Sequence, residues 1–348
     1  MTSTSRQSNP LDPPLTVAWE AEPSTARISV APQFNGRHVI VAAGAALTAL
    51  DPSDGSVRWQ IDVAADPKNL AVARDAALVS GFTDEGSRLV CVDGLGAVRW
   101  QQPDWHIATE SLGRDGDDFI VLGRRTGDTA QMCRVLRSDT GAERLVFECG
   151  ATYVPDRVVN GFVYSIWSSD QTTAGLFLYD LASKKTERLL TASHAIRSKP
   201  ADSIVVVDTT DVDTVGELIA VDLTSRKIVW KGVGGDNVAL AVDRGQLAAV
   251  ESEAPHRFAL TLREVATGRV LWKTDPLEAY QAQPIIAADW AGVSLAGRRV
   301  PMYDRASGRV LQTLEMRSLF PDGLCSTPVG LIMVYGSSVQ CLRHAEGQ

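Results

Sequence analysis

Apolar and polar residues alternate along most of the chain within a unit that recurs at a regular spacing. Each unit has an apolar strand that ends near an acidic or polar residue, a short turn that usually contains glycine, and a second strand that often ends in tryptophan. The clearest copies are residues 47–59, 218–230 and 260–272. Because the alternation has the period of a β-strand and helical spacing is not sustained, the pattern predicts strands rather than helices.

The residue just before each turn marks the period of this unit. The eight markers are Asp51, Asp93, Arg137, Asp180, Asp222, Glu264, Asp304 and Arg343. Successive markers are 42, 44, 43, 42, 42, 40 and 39 residues apart, so no unit is missing or doubled. A strand-rich repeat of roughly 40 to 50 residues is typical of a β-propeller blade. The sequence therefore predicts an all-β, eight-bladed β-propeller of four-stranded antiparallel blades.

The two ends of the chain predict how the ring closes. The last unit stops before its second strand, whereas Trp19 belongs to a second strand that has no first strand before it. Trp19, Trp59 and Trp100 are spaced by 40 and 41 residues, so Trp19 is in phase with the repeat. We therefore expect the N-terminal strand to complete the C-terminal blade, which leaves no long sheet edge open. Residues 1–14 are polar and proline-rich, which predicts a disordered tail, and residues 15–348 are expected to form the single propeller domain.

The composition of the chain indicates where the protein is located and which classes of partner it binds. With 45% hydrophobic and 22% charged residues, the chain of 348 residues has ordinary globular usage. A net charge of −8 argues against nucleic acid as a partner, because phosphate binding needs concentrated Lys and Arg. The sequence has neither a membrane-spanning apolar run nor the apolar segment of a secretory signal. We therefore expect a cytoplasmic monomer that does not insert into a membrane.

The five cysteines fit that expectation. Their odd number and lack of paired spacing predict neither a disulfide framework nor a zinc site. Cys91, Cys133 and Cys341 occupy repeat positions that hold apolar residues in other units, so we expect them to pack between blades. Cys325 falls near a predicted inner strand and is a candidate for a reactive thiol.

The pattern Ala-x-Asp-x-x-x-Gly-x-x-x-Trp, here residues 49–59, resembles the tryptophan-docking repeat of the propellers that are similar to pyrroloquinoline quinone (PQQ) enzymes. This PQQ-like superfamily includes the quinoprotein alcohol dehydrogenases and BamB, a lipoprotein of bacterial outer-membrane assembly, which the chain resembles in size and blade number. The resemblance implies that the tryptophan rings pack between blades as structural residues. These residues are Trp19, Trp59, Trp100, Trp230 and Trp272. The tryptophan is replaced, and looser blade contacts are expected, at Leu145, Arg188 and Gln312.

The resemblance leaves the function open, because one scaffold supports unrelated activities. The dehydrogenases hold PQQ beside calcium and stack the quinone against adjacent cysteines. This sequence has no adjacent cysteine pair, so we expect neither PQQ nor calcium, and no metal ligands are predicted. Known catalytic motifs are also missing. The main hypothesis is a non-catalytic propeller that binds a protein partner or a small ligand on one face. The alternatives are a cofactor-free cyclase, isomerase or lyase and, third, a PQQ-dependent dehydrogenase.

A site is expected at the mouth of the central channel, where the innermost strands and the loops before them converge. The repeat predicts polar and aromatic side chains there, which either hold a small anionic or amphipathic ligand or line a water-filled channel. The candidate binding residues are Arg27, Lys68, Asn69, His106, Tyr153, Arg197, Asn237, Gln281 and Gln283. For the enzyme hypothesis the candidate catalytic residues are Glu110, His194 and Tyr280, since histidine titrates near neutrality and burial tunes a glutamate in that direction.

Overall fold

A computed structural model describes most of the chain. The described residues are 15–63, 66–83, 86–107, 112–151, 153–166, 174–191, 196–211, 214–234, 240–254, 257–278, 282–295, 299–315 and 323–344. They form antiparallel strands arranged as eight blades in a ring, which confirms the predicted eight-bladed all-β propeller. No helix in this part of the chain has the length and hydrophobicity that crossing a membrane requires.

The first strand, β1 (Leu15–Ala21), belongs to the last blade, and the next sixteen strands form blades 1 to 4 from the inside of the ring outwards. Blade 1 contains β2 (Ile28–Phe34), β3 (Val39–Ala43), β4 (Ala46–Leu50) and β5 (Val57–Asp62); blade 2 contains β6 (Asp66–Val72), β7 (Ala76–Thr83), β8 (Gly86–Asp93) and β9 (Val98–His106); blade 3 contains β10 (Leu112–Asp115), β11 (Asp118–Arg125), β12 (Met132–Leu136) and β13 (Glu143–Glu148); blade 4 contains β14 (Asp156–Val158), β15 (Gly161–Ile166), β16 (Gly175–Asp180) and β17 (Lys185–Thr191).

Blades 5 to 8 follow the same order, with one additional short strand in blade 6. Blade 5 contains β18 (Ile196–Ala201), β19 (Ile204–Asp211), β20 (Thr214–Asp222) and β21 (Lys227–Val233); blade 6 contains β22 (Ala241–Asp243), β23 (Gln246–Ala254), β24 (Arg257–Glu264), β25 (Val270–Lys273) and β26 (Leu277–Glu278); blade 7 contains β27 (Ala282–Ile286), β28 (Trp290–Leu295), β29 (Arg299–Asp304) and β30 (Val310–Glu315); blade 8 contains β31 (Gly323–Thr327), β32 (Gly330–Tyr335), β33 (Ser338–His344) and β1.

The ring closes as the chain ends predict. Strand β1 pairs antiparallel with β33, so that Leu15 lies opposite His344 and Trp19 lies opposite Cys341. The N-terminal strand is therefore the outer strand of blade 8, and backbone hydrogen bonds rather than a turn connect the two ends of the chain.

Both faces of each sheet are buried against neighbouring blades. The alternation along each strand sends side chains to the two faces, and the buried clusters combine residues of adjacent blades, such as Leu78 of blade 2 with Phe119 of blade 3. The three cysteines predicted to pack between blades, Cys91, Cys133 and Cys341, have fully buried side chains. Burial raises the pKa of Cys91 to about 12, so its thiol stays protonated at neutral pH.

Five junctions between neighbouring blades share one contact. A tryptophan of the outer strand lies against a turn of the next blade, and its indole Nε1 donates a hydrogen bond to a carbonyl of that turn. The pairs are Trp19 with Pro52 at 3.1 Å, Trp59 with Gly94 at 3.0 Å, Trp100 with Ser138 at 3.1 Å, Trp230 with Val265 at 2.6 Å and Trp272 with Arg305 at 2.9 Å.

Each of these rings also packs on a turn glycine. A Cβ atom added to that glycine would lie only 2.5 to 2.9 Å from the ring, at Gly55, Gly96, Gly141, Gly268 and Gly308. The φ angles of the five glycines lie between 70° and 90°, in the left-handed region that glycine adopts at no steric cost. The ring and the glycine are therefore fitted to one another at every one of these junctions.

Two junctions combine a different outer-strand residue with a different turn residue. Leu145 packs in the apolar cluster between blades 3 and 4, and Arg188 lies 5.3 Å from the ring centre of Phe177 in its own blade. The turns that these positions approach carry Lys184 and Arg226 at φ 55° and 60°, where the docked junctions have glycine. A side chain therefore replaces the glycine where no tryptophan ring covers the turn.

Gln312 lies at the junction between blades 7 and 8, where the ring is closed without a turn. Its Oε1 accepts a hydrogen bond from the backbone N–H of Leu15 at 3.0 Å, and its Nε2 donates one to the Leu15 carbonyl at 3.2 Å. The side chain thus binds the backbone of the closing strand directly. The looser contacts expected at the three positions without tryptophan stay a prediction.

Blades 2 and 3 are joined more extensively than a single turn contact allows. Strand β9 extends past Asp104, which has φ 64°, and its end pairs with β11 so that Trp105 lies opposite Arg125. Trp105 is buried, and the guanidinium groups of Arg125 and Arg134 lie over its ring at 4.8 and 5.5 Å. Arg134 in turn forms an ion pair with Asp128 at 2.8 Å. Strand pairing and cation–π contacts therefore stabilise this junction together.

Candidate functional site

A cavity of about 770 Å³ lies at the centre of the ring, between strands of blades 1, 4, 5, 6, 7 and 8. Most of its lining side chains are apolar, among them Ala31, Leu240, Val242, Ile285, Leu324 and Leu331. Among the described residues that line it, the charged ones are Asp156 on β14 and Lys199 on β18. The cavity wall therefore combines apolar side chains with about as much polar surface, and its described lining includes one acidic and one basic side chain, both on the side of blades 4 and 5.

A smaller cavity of about 130 Å³ adjoins the first one. It is lined by Tyr153, Val154, Tyr164, Ser165 and Ser198, together with the same two charged residues. Because Asp156 and Lys199 line both cavities, they lie at the boundary between the two spaces.

Local strand geometry positions Asp156. Strand β14 has three residues, and Asp156 lies opposite Val163 of β15. Successive side chains of a strand point to opposite faces, so the neighbouring Arg157 is directed away from Asp156. Arg157 contacts blade 3 instead, where its Nε donates a hydrogen bond to Asp115 Oδ1 at 2.9 Å. This division leaves Asp156 to the cavity while Arg157 fixes the strand to its neighbour.

The carboxylate of Asp156 has an unusual electrostatic environment. The side chain is partly buried, and this burial raises the pKa of Asp156, while the positive charge of Lys199 opposes part of the rise. Within the described residues, neither a hydrogen bond nor an ion pair compensates the carboxylate. A partly desolvated carboxylate without hydrogen-bond donors is energetically unfavourable and is a feature of binding and catalytic sites.

Two further titratable groups beside the cavities, the hydroxyl of Tyr164 and the thiol of Cys325, stay protonated and neutral at physiological pH. Tyr164 is buried, its ring stacks on Phe177 at a centroid distance of 5.7 Å, and burial raises the pKa of its hydroxyl to about 12. Cys325, on β31, lines the larger cavity, and burial raises the pKa of its thiol to about 11. Because the thiolate is the reactive form, Cys325 is not an activated nucleophile. In the described part of the chain, no group of three or more His, Cys, Asp or Glu is arranged to hold a metal ion.

Four of the predicted binding residues can be placed near the inner strands. Arg27 is exposed on the loop before β2, and Lys68 and Asn69 lie on β6. Asn69 is buried within blade 2, where its Nδ2 donates a hydrogen bond to Ser80 Oγ at 2.8 Å. Tyr153 lines the smaller cavity. The structure therefore brings Tyr153 together with Asp156 and Lys199 and places the first three residues in blade 1 and blade 2.

The other predicted positions are described partly or not at all. His106 is exposed at the end of β9, where it pairs with Arg124 of β11, rather than on a loop before blade 3. Arg197 and Gln283 lie on β18 and β27, but their side chains fall outside the described residues. Also outside the described residues are Glu110, His194, Asn237, Tyr280 and Gln281.

Sequence reasoning missed the two charged residues of the cavity. Lys199 follows Arg197 by two residues on β18, so the period of a strand places both on the same face. This period, applied to each inner strand, was a signal for Lys199. Asp156 gave a weaker signal, because nothing in Val154-Pro155-Asp156 shows that the strand begins at the aspartate.

Comparisons with known proteins agree with this architecture. Residues 16–110 match the family model described as outer membrane protein assembly factor BamB. The structure of BamB from Moraxella catarrhalis has a TM-score of 0.69 and 14% identity and covers 94% of this chain and 99% of that chain. The computationally designed Ika8 protein has a TM-score of 0.73 and 12% identity, again with 94% and 99% covered.

A longer enzyme has the same fold. The quinohemoprotein alcohol dehydrogenase from Comamonas testosteroni has a TM-score of 0.61 and 10% identity, with 96% of this chain and 78% of that chain covered. A search of curated proteins gives no match. At these identities the likeness shows the fold alone. The resemblance predicted from the repeat is confirmed at that level: the chain has the fold of the PQQ-like β-propeller superfamily.

Proposed function

We propose that the protein is a non-catalytic β-propeller that binds a small ligand or a segment of a partner protein at the centre of its ring. The observation that carries this proposal is the cavity of about 770 Å³, whose described lining combines apolar side chains with one carboxylate, that of Asp156, and one ammonium group, that of Lys199. Ligand sites are typically concave, mostly apolar and supplied with a few convergent polar groups, and they measure roughly 300 to 1,000 Å³.

The chemistry around the cavity supports binding rather than catalysis. General acid–base and nucleophilic catalysis need two groups within hydrogen-bond reach of each other or of the substrate. Among the described lining residues, Asp156 has no such partner, and the thiol of Cys325 stays protonated. The fold is also compatible with a protein-interaction scaffold, as the match of residues 16–110 to a model named for an assembly factor suggests.

The expected cytoplasmic location and monomeric state belong to the same proposal. Free cysteines are found at Cys91, Cys133 and Cys341, all of them buried, which is consistent with a reducing compartment. Partners of this propeller would then be cytoplasmic molecules.

Native mass spectrometry of the protein purified from its own cell extract tests the proposal. We expect a retained small molecule or a stoichiometric partner protein, which Ala31→Phe removes because the new ring projects into the cavity that Ala31 lines and occupies space the bound molecule needs. Ala182→Phe is the matched control, since Ala182 is exposed in a turn of blade 4. Retention of the bound molecule by Ala31→Phe, or its loss from both variants, would contradict binding at the centre of the ring.

One observation favours a second candidate, a cofactor-free isomerase or lyase. A carboxyl group with a raised pKa in a cavity is a suitable proton donor or acceptor, and Asp156 is such a group. This candidate predicts that the retained molecule is converted and that Asp156→Asn lowers its turnover by about 100-fold or more. Binding without conversion by the unmodified protein would exclude it.

A further inference from the structure

We propose that the ligand of the central cavity is an amphipathic amine, with an apolar body in the larger cavity and an ammonium group bound to Asp156. This inference rests on the proposed binding function and adds the chemical class of the ligand.

The larger cavity fits the apolar body. Its wall contains Leu240 and Val242 of blade 6, Ile285 of blade 7 and Leu324 and Leu331 of blade 8. These side chains form a surface across three consecutive blades. Removal of hydrocarbon surface from water is the dominant favourable contribution to binding in such a space, and it is not directional. An elongated or ring-shaped hydrocarbon therefore suits this wall, which adds little specificity by itself.

Asp156 supplies the specificity. Its carboxylate is partly buried and lacks hydrogen-bond donors within the described residues, so the charge of Lys199 offsets only part of the hydration that it has lost. An ammonium group brings three N–H donors and a positive charge, and charge-assisted hydrogen bonds are stronger than neutral ones. A ligand ammonium would therefore replace the hydrogen bonds to water that this carboxylate has lost through burial.

Lys199 performs that task only in part. Its positive charge opposes some of the rise in the pKa of Asp156, but its side chain is exposed and forms no ion pair with the carboxylate. An exposed ammonium keeps its hydration, so a ligand carboxylate gains less from Lys199 than a ligand ammonium gains from Asp156. Of the two charged groups in the described lining, the carboxylate is therefore the less hydrated one, which favours a ligand with a cationic head.

The smaller cavity fits the head of the ligand. A volume of about 130 Å³ corresponds to about four water molecules at the ~30 Å³ that each occupies in the liquid. Its lining includes Tyr153 and Tyr164, whose rings attract cations, and the hydroxyl of Ser198. An ammonium with its first carbons is of the right size for this space.

Isothermal titration calorimetry with n-octylamine, n-octanoate and n-octanol tests the inference. The three probes share one apolar body and differ in the charge of the head. We expect n-octylamine to bind at least 10-fold more tightly than n-octanoate or n-octanol, and Asp156→Asn to abolish this preference. Asp75→Asn is the matched control, because Asp75 is an exposed carboxylate that pairs with Arg99 outside the cavity. This variant is expected to keep the preference for the amine.

Three results would overturn the inference: equal or tighter binding of n-octanoate, an unchanged preference in Asp156→Asn, or unchanged n-octylamine binding in Ala31→Phe. The first two assign the specificity to other groups, and the third places the amine outside the cavity. Thermal unfolding of each variant verifies that it is folded. If no probe binds but purified protein retains a molecule that Ala31→Phe removes, the amine inference fails and the binding function stands.

Discussion

The junction between blades 5 and 6 and the junction between blades 4 and 5 solve the same packing problem differently. In the first, the indole of Trp230 donates a hydrogen bond to the Val265 carbonyl at 2.6 Å, and its ring covers Gly268. In the second, Arg188 lies over Phe177 of its own blade, and the turn residue is Arg226. The first junction is held by a docked ring, and the second by the apolar cluster behind it and an ion pair between Glu187 and Arg226 at 3.5 Å.

This comparison shows what the turn glycine is for. The two turns have the same backbone hydrogen bond. The N–H of Gly268 donates to the carbonyl of Glu264 at 2.9 Å, and the N–H of Arg226 donates to the carbonyl of Asp222 at the same distance. Both residues have positive φ angles, of 71° and 60°. Since Arg226 adopts this backbone with a side chain, the tryptophan ring rather than the turn excludes a Cβ atom at Gly268. The undocked junction joins blades 4 and 5, the two blades whose inner strands carry Asp156 and Lys199.

Truncation of the docked ring is expected to have the largest effect. Trp230→Ala should lower the free energy of unfolding by about 3 kcal/mol, because large-to-small substitution of an aromatic residue removes buried surface and leaves a cavity. Arg188→Ala, at the equivalent position of the undocked junction, should cost less than about 1 kcal/mol, because its side chain is exposed and little buried surface is lost. Urea unfolding of the two variants measures the difference. Equal losses would mean that ring docking is not what distinguishes the two junctions.

Substitution of the turn residue should change stability in opposite directions at the two kinds of junction. Gly268→Ala is expected to destabilise the protein by about 2 kcal/mol, since its Cβ would lie 2.5 Å from the Trp230 ring, so that the ring or the turn would have to move. Lys184→Gly, at φ 55° in an undocked turn, should be neutral or stabilising by up to about 1 kcal/mol through relief of left-handed strain.

A double-mutant cycle separates the ring contact from the backbone conformation. In a Trp230→Ala background the added Cβ of Gly268→Ala meets no ring, so its cost should fall below about 1 kcal/mol, the part that the left-handed backbone contributes. The free energies of the single and double variants, measured by urea unfolding, give the coupling. Additive costs would contradict steric fit as the origin of the glycine.

The closing junction should show an intermediate sensitivity. Gln312→Ala removes both hydrogen bonds to the backbone of Leu15 and is expected to cost about 1 to 2 kcal/mol, at roughly 0.5 to 1.5 kcal/mol for each bond. Gln60→Ala removes one exposed bond to Pro23 and should cost less than about 0.5 kcal/mol. Faster hydrogen exchange of the β1 amides in Gln312→Ala would place the loss at ring closure, and equal exchange in both variants would place it elsewhere.

The repeat determined most of the fold in advance. The spacing of Trp19, Trp59 and Trp100 gave the phase of the ring, and the incomplete last unit gave its closure with β33, because both depend on local patterns that recur. The pairing of β9 with β11 was not predictable, since it depends on a left-handed residue, Asp104, that follows no repeat position.

The site was much less predictable than the ring. The repeat predicts Tyr153 as a binding residue because the loops before the inner strands can be located by counting from the repeat, and Tyr153 does line the smaller cavity. The repeat does not predict Asp156 and Lys199. The tilt of each blade against its neighbours decides which side of a short inner strand faces the cavity. Polarity misled as well: Asn69 is polar, yet it is buried within its blade by a hydrogen bond to Ser80.

The smallest expected effect is a difference in the pH dependence of stability between two carboxylates. Asp156 lies in blade 4, beside the junction without a docked tryptophan, and Asp128 lies at the junction of blades 2 and 3. Burial raises the pKa of Asp156 above its unfolded value, so the folded state binds the proton more readily and the ionised group lowers stability at neutral pH. Asp156→Asn should therefore be more stable than the unmodified protein at neutral pH, and this advantage should shrink as the pH falls and the carboxyl becomes protonated.

For Asp128, the hydrogen bond from the backbone N–H of Arg125 and the ion pair with Arg134 lower the pKa of the carboxyl. Asp128→Asn should accordingly be less stable at neutral pH, with a deficit that disappears on acidification, and thermal unfolding of both variants across pH measures the two slopes. Slopes of the same sign would mean that other interactions stabilise the ionised carboxylate of Asp156 in solution, and that it does not need a cationic ligand.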